Sequence, residues 1–156
     1  KAGGAFAGTH CATDTLYNTP YGDLIGGYFD GHPWHTKVKL KVDDPAFPAG
    51  GFDDDNGKEI TDEIYQFKNW SRDNVHVILS IDPSSAIDLG KGKRADRDYA
   101  VSWAKEYGKG RVFYTSLGHR NEVWSDPRFQ EHLFGGLKWA TGQVDAPISP
   151  GSKPAK

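Results

Sequence analysis

Six short segments of the chain carry the residue patterns of β-strands, and they constrain the fold more than any other feature. The clearest spans residues 35–42, where Val38, Leu40 and Val42 alternate with polar residues and therefore share one face. Residues 4–9 are small and apolar and run straight into His10, which predicts a buried strand that ends at a sharp turn. Further strands are predicted over residues 63–67, 75–81, 99–103 and 111–116.

Turns and helices separate these strands. The Gly-Lys-Gly run at residues 108–110 predicts a hairpin between the last two strands. Pro20 can open a first helix, which the glycines at positions 26 and 27 then end. Long polar loops are predicted over residues 43–58 and 82–97. Strands mixed with helices in this way indicate an α/β domain.

A second, amphipathic helix is predicted over residues 127–141. Asp126 or Ser125 can cap it, and Pro127 suits its first position because that position needs no backbone N–H. Its apolar positions fall at helical spacing and predict the buried face: Phe129, Leu133, Phe134 and Leu137.

The composition excludes several classes of partner. The 19 lysines and arginines do not exceed the 21 aspartates and glutamates, so the chain has no basic surplus with which to bind nucleic acid. The apolar runs are too short to span a membrane. The single cysteine excludes an internal disulfide framework and a cysteine-based zinc site. It leaves the redox compartment undetermined, with a periplasmic or secreted location slightly favoured over a cytoplasmic one.

The two ends of the chain also carry information. The chain starts at Lys1 and contains no methionine, which indicates a mature or fragmentary product. Residues 146–156 are rich in proline, serine and lysine and are predicted to form a tail or linker. The domain itself is therefore predicted to span residues 1–145.

Five sequence blocks resemble, in order, those of the trehalose-utilisation (ThuA-like) family. They are GGAFAGTHCATDT, YGDLIGGYFDGHP, TDEIYQF, YGKGRVFYTSLGH and HLFGGLKWATG, which together span almost all of residues 3–142. The resemblance implies a flavodoxin-like, three-layer α/β sandwich similar to class I glutamine amidotransferases, with a parallel sheet and helices on both faces. It also implies that strands normally found before Gly3 are missing. An open sheet edge would then favour association into a homo-oligomer.

The resemblance to the amidotransferases bears on two histidines. Those enzymes carry their nucleophilic cysteine in a Gly-x-Cys-x-Gly turn, whereas this chain has Gly8-Thr9-His10-Cys11-Ala12, so His10 takes the place of the nucleophile. His119 resembles the amidotransferase histidine that follows the last core strand. The pattern implies that the chain does not hydrolyse glutamine.

His10, His119 and Glu63 are the predicted catalytic residues. Both histidines are predicted at the ends of strands, where α/β proteins place their sites, and imidazole serves as an acid, a base or a metal ligand. The pair could therefore hold a divalent metal such as zinc. A carboxylate from Asp62, just before the predicted strand over residues 63–67, or from Glu63, at its start, could act as a base or as a third ligand; the resemblance favours Glu63. The alternatives are hydrogen-bonded residues that close strand ends, and a solvated turn.

Other side chains are assigned more simply. Substrate contacts are predicted at His32, Trp34, Tyr65, Asp14 and Trp124, with ordinary packing as the alternative for His32 and the aromatic residues. His35 and His132 are predicted to be exposed, and His76 to be structural. Cys11 could be reactive beside His10, but a small apolar residue that follows a buried strand is the favoured interpretation. Residues 53–57 (DDDNG) are similar to a calcium loop, but Ile64 stands where the bidentate glutamate is needed.

Two functions remain open at this point. The first is an enzyme that hydrolyses, eliminates or isomerises a sugar or oxidised sugar derivative by acid–base or metal-assisted chemistry. The second is a non-catalytic carbohydrate-binding or scaffold module of a larger protein. The carbohydrate partner is implied by the resemblance in both cases.

Overall fold

The computed structural model describes residues 1–52 and 58–151. The calcium-like run at residues 53–57 lies outside the described residues. The elements, in chain order, are β1 Ala5–Thr9, α1 Tyr21–Ile25, β2 Tyr28–Phe29, β3 Trp34–Val42, β4 Glu59–Ile64, β5 Phe67–Lys68, β6 His76–Ile81, β7 Ala100–Tyr107, β8 Gly110–Thr115, α2 Asn121–Trp124 and α3 Pro127–Ala140. Short 3₁₀ turns occur at His10–Thr13, Arg72–Asn74 and Leu89–Lys91.

A six-stranded sheet in the order β1-β8-β7-β6-β3-β4 forms the centre of the protein. One apolar cluster, on the face that α3 covers, includes Phe113 and Trp139. The other contains Tyr114 and the α1 residue Ile25. Because Phe113 and Tyr114 are successive residues of β8, the two clusters lie on opposite faces of the sheet. The protein is therefore a mixed α/β sandwich, with a helix layer on each side of the sheet.

The sheet is mostly antiparallel in the described part of the chain. Only β1 and β8 pair in parallel; the pairs β8–β7, β7–β6, β6–β3 and β3–β4 are antiparallel. The implied parallel sheet is therefore wrong for these pairs. One reason is local, since the hairpin turn between β7 and β8, with Gly108 at φ 64°, can join only antiparallel neighbours.

Two strand predictions need correction. The predicted buried first strand lies at an edge of the described sheet and pairs only with β8, so Gly8 alone is buried within it. The strand predicted over residues 63–67 begins earlier, because residues 59–64 pair in register with β3, and Tyr65 and Gln66 then interrupt it before β5. The strand over 35–42 and the hairpin are confirmed.

The helix α3 has the predicted start, but its buried face matches the prediction only in part: Phe129 is buried and Leu133 packs against the core as predicted. Asp126 caps it by accepting the Arg128 amide, and Pro127 takes the first position, as predicted. The buried positions are Phe129, His132, Gly135, Gly136, Trp139 and Ala140, whereas Phe134 is exposed. The glycines allow the backbone near Pro48 and the ring of Phe113 to approach the helix closely, so this glycine face is the one that packs.

His132 was predicted to be exposed and is instead fully buried. Its Nδ1–H donates to the Ala49 carbonyl at 2.9 Å, and its Nε2 lies 3.0 Å from the Ser102 hydroxyl. Burial lowers the pKa of His132 to about 4, against the smaller opposing effect of the carbonyls of Ala49 and Gly50. The ring is therefore a neutral hydrogen-bonding core residue.

The start of the predicted tail packs on the domain. The Trp139 indole N–H donates to the Ala146 carbonyl, and Ile148 packs against the core under α3. The Ser149 amide donates to Nδ1 of His76, whose Nε2 bonds Asp44, so His76 has the predicted structural role. Within the described residues, no helix is long and apolar enough to cross a membrane.

Candidate functional site

The parallel pair β1–β8 brings His10 and His119 to the same edge of the sheet. Thr9 pairs with Thr115 at the carboxyl ends of the two strands, and each chain then turns out of the sheet. His10 follows β1 directly, and His119 follows β8 after a short connection. The two rings therefore lie close together beyond the strand ends, with centroids 5.1 Å apart, where the sequence predicted both histidines.

His10 occupies a strained turn that orients its ring. Its φ of 42° lies in the left-handed region. His10 follows the extended Thr9 and is the first residue of the 3₁₀ turn His10–Thr13. The carbonyl of His10 accepts a 2.7 Å hydrogen bond from the Tyr114 hydroxyl. The ring Nδ1 lies 2.9 Å from the Ser116 carbonyl, which can only accept, so Nδ1 carries the proton. In the neutral ring, Nε2 therefore presents a lone pair to the site.

Three polar groups surround that lone pair. From Nε2 of His10, the Tyr65 hydroxyl is 2.8 Å away, Nδ1 of His119 is 3.2 Å away and Oε2 of Glu63 is 3.3 Å away. Tyr65 is almost fully buried, and burial, followed by the negative charge of Glu63, raises its pKa well above the ordinary value. The phenol therefore stays protonated and donates to His10.

Glu63 lies at the centre of the cluster and is largely buried. Its Oε2 faces His10 and also lies 3.4 Å from Nδ1 of His119, and its Oε1 lies 3.4 Å from Nδ1 of His32. The sequence predicted Glu63 at the start of a strand over residues 63–67, whereas it lies near the end of β4. β4 and β1 lie at the two ends of the sheet order. The Glu63 side chain of β4 nevertheless contacts His10, which directly follows β1.

One ligand atom from each of His10, Glu63 and His119 lies within 4.8 Å of the other two. These atoms are a nitrogen from each imidazole and a carboxylate oxygen, which are typical zinc ligands. The three residues predicted to be catalytic are therefore brought together. Their arrangement could hold a divalent metal, or could transfer protons between imidazole, carboxylate and phenol.

Side chains at the rim are more exposed. His32 is exposed and stacks on Phe29 with ring centroids 5.9 Å apart. Trp124 is 45% exposed, and its indole N–H donates to the Gly118 carbonyl next to His119. Asp14 accepts a hydrogen bond from Tyr17; burial, followed by that bond, raises the pKa of Tyr17 to about 12. Of these side chains, His32 contacts Glu63 directly, and Trp124 contacts the turn that carries His119.

The structure does not bring Trp34 to this site. Trp34 is buried in the core against Tyr99, and its indole N–H donates to the Asp88 carbonyl. It pairs with Ile64, whereas the adjacent pair His35 and Glu63 points to the opposite face of the strands. The predicted substrate contact is therefore wrong for Trp34. Cys11, for which the role of a small apolar residue was favoured over a reactive thiol, is exposed.

Two residues near the cluster were missed or undervalued. His35 is exposed as predicted, but its ring lies 5.1 Å from that of His119. Asp62, considered as a base, as a third metal ligand or as part of a solvated turn, is completely buried and binds the backbone that follows β8. If the predicted strand had been extended upstream to residue 59, Asp62 and Glu63 would have been placed on opposite faces of one strand. This alternation is the sequence signal that could have assigned different roles to the two carboxylates.

The fold and the site together define a class of α/β protein in which a histidine–carboxylate cluster lies where two parallel strands end. A comparison with known families is more specific: the ThuA family, described as trehalose utilisation, matches residues 1–140. The chain belongs to the ThuA family, which confirms the resemblance given by the five sequence blocks.

A solved structure gives a second comparison. The chain is similar to the crystal structure of a protein from Parabacteroides merdae ATCC 43184 that is described as ThuA-like, with a TM-score of 0.63 and 17% identity. The match covers 97% of this chain and 65% of that one, so the chain spans about two thirds of the length of this relative. No curated protein matches the chain.

Proposed function

We propose that the chain is a carbohydrate-processing enzyme whose reaction centre is the cluster of His10, Glu63 and His119. The observation that supports this most is the convergence of three ligand atoms within 4.8 Å at the carboxyl ends of β1 and β8. The family description, trehalose utilisation, favours a sugar as substrate, and the proposal extends to oxidised sugar derivatives. The reaction class is hydrolysis, elimination or isomerisation, all of which need a proton removed and a proton delivered.

The donor set fits a divalent metal, with zinc as the best match. Catalytic zinc sites commonly use three protein ligands, including the set of two histidines and one glutamate, and keep a further position open. In a histidine ligand, the N–H of the second ring nitrogen usually donates to a carbonyl or carboxylate, as the Nδ1–H of His10 does to the Ser116 carbonyl. A bound metal would polarise a carbonyl oxygen or make bound water more acidic.

The side chains of the cluster also suit proton transfer. Glu63 as a carboxylate can accept a proton, and its contacts to His10 and His119 offer imidazoles that can share it. The buried Tyr65 keeps its proton, so it can donate a hydrogen bond to an oxygen that gains negative charge. Proton transfer of this kind contributes about 10²–10⁴-fold to rates in enzymes.

The exposed rim is the proposed contact surface for substrate. The stacked pair His32 and Phe29 and the exposed ring of Trp124 offer flat faces for a sugar ring. Asp14 offers a carboxylate that can accept hydrogen bonds from sugar hydroxyls.

We further propose that the fold is of the flavodoxin-like, amidotransferase-like type. The parallel β1–β8 pair and the sharp turn at His10, where φ is 42°, support this assignment. Since a histidine stands where those enzymes carry a cysteine, we propose that glutamine is not a substrate.

The replacement of that nucleophile also favours a second candidate function. The chain would then be a carbohydrate-binding or scaffold module without turnover. Calorimetry that detects sugar binding, together with no product after long incubation, would support this alternative over the enzyme.

The test of the enzymatic proposal is turnover of a panel of disaccharides and oxidised glycosides, followed by chromatography of the products. The His10→Ala/His119→Ala double variant should lose activity by at least about 100-fold, because it removes both imidazoles of the cluster. His76→Gln is the matched control, since this histidine bonds Asp44 and Ser149 instead. Undiminished turnover in the folded double variant would contradict the proposal.

A further inference from the structure

The carboxylate of Asp62 is fully buried and binds the backbone turn that carries His119. Its Oδ2 accepts from the Gly118 amide at 2.7 Å and, more weakly, from the His119 amide at 3.4 Å. Its Oδ1 accepts from the Arg120 amide at 3.0 Å. One side chain therefore engages three successive amides that lie 56 to 58 residues away in sequence.

The Asp62 carboxylate and the turn at residues 118–120 stabilise each other. A buried carboxylate is stable only when donors satisfy its oxygens, and successive amides of a turn form a concavity suited to an anion. In return, the turn contains Gly118 at a φ of 115°, a backbone conformation that side-chain-bearing residues rarely adopt. The three hydrogen bonds hold this turn against β4.

Asp62 and Glu63 are neighbours on one strand and therefore point to opposite faces. Asp62 binds the main chain around His119, whereas Oε2 of Glu63 lies 3.4 Å from the His119 imidazole. The His119 side chain itself is 42% exposed, so packing alone restrains it weakly. Two neighbouring residues of β4 therefore restrain His119: Asp62 binds the backbone around it, and Glu63 contacts its ring.

We propose that Asp62 is a positioning residue that keeps the His119 imidazole next to His10 and Glu63. The proposal rests on the proposed function for the meaning of the cluster, but it concerns a separate contact. Loss of the Asp62 hydrogen bonds should release the turn, move His119 away and weaken metal binding. Outer partners of metal ligands typically change affinity by about 10- to 100-fold when they are replaced.

The first test uses the metal-free protein and NMR. In the wild type, the amides of Gly118 and Arg120 should exchange slowly with solvent, and an Overhauser contact should join the rings of His10 and His119, whose centroids lie 5.1 Å apart. Asp62→Asn preserves the side-chain volume but turns an amide donor toward backbone donors, so it should weaken both signals. Asp62→Ala should abolish them. Asp88→Asn is the matched control, since Asp88 also accepts a backbone amide but lies in another loop.

The second test is titration of each protein with Co²⁺, followed by its visible absorption. Asp62→Asn should bind Co²⁺ about 10- to 100-fold more weakly than the wild type, and Asp88→Asn should bind as the wild type does. Fast exchange of the two amides in the wild type, or an unchanged ring contact in Asp62→Asn, would overturn the role of Asp62. A wild type that binds no Co²⁺ would instead count against the metal-assisted function, while the NMR result still decides on Asp62.

Discussion

The buried His132 should make the protein lose stability in mild acid. Burial favours the neutral imidazole and lowers its folded-state pKa from the ordinary 6.5 to about 4. The stabilising contribution of the neutral ring is therefore fully present above pH 6.5 and is lost as the pH falls from 6.5 to 4. Since each pH unit of that interval corresponds to about 1.4 kcal/mol, the complete loss is on the order of 3 kcal/mol.

The assay is urea unfolding at pH 7 and at pH 4, with the free energy of unfolding extrapolated to zero denaturant. Carboxylates titrate over the same range, so the wild type must be compared with His132→Gln, which cannot ionise. The variant should be less stable at pH 7, because it disturbs the bonds to Ala49 and Ser102, but it should lose about 3 kcal/mol less than the wild type on acidification. An equal loss in both proteins would refute the reasoning.

Three further predictions concern α3 and can be checked by thermal or urea unfolding. Asp126→Ala removes the cap on the Arg128 amide and should cost about 1 kcal/mol, with activity retained; no loss would contradict the capping role. Gly135→Ala would press a methyl group into the Pro48 carbonyl and should cost about 1–3 kcal/mol, an expectation that a stabilised variant would disprove. Phe134→Ser should change the stability by less than about 0.5 kcal/mol, since Phe134 is 60% exposed; a larger destabilisation would show that this ring packs in the core.

Local patterns predicted much of the secondary structure. Alternation identified β3, the Gly-Lys-Gly turn identified the β7–β8 hairpin, and the Asp126-Pro127 start identified α3. These signals depend on neighbours in sequence, which is why they could be seen without a structure. The glycine part of the buried face of α3 could not be predicted in this way, because Gly135 and Gly136 pack through close approach and carry no apolar side chain that would reveal it.

The site was predictable where a residue follows a strand. His10 and His119 were expected to meet because both lie beyond strand ends, and β1 and β8 do pair in parallel. The role of Asp62 depends on hydrogen bonds to amides 56 to 58 residues away, and the burial of His132 depends on a loop that covers it. Such contacts are set by tertiary packing, so spacing in the sequence does not show them.

The most direct test of the account is the metal content of the purified protein after zinc loading and dialysis. We expect one equivalent of zinc in the wild type and none in the His10→Ala/His119→Ala variant, because these residues supply two of the three ligand atoms that lie within 4.8 Å of one another. The His76→Gln control should retain the metal. Equal zinc in the wild type and the double variant, or none in the wild type, would contradict the claim that His10, Glu63 and His119 form one metal-binding centre.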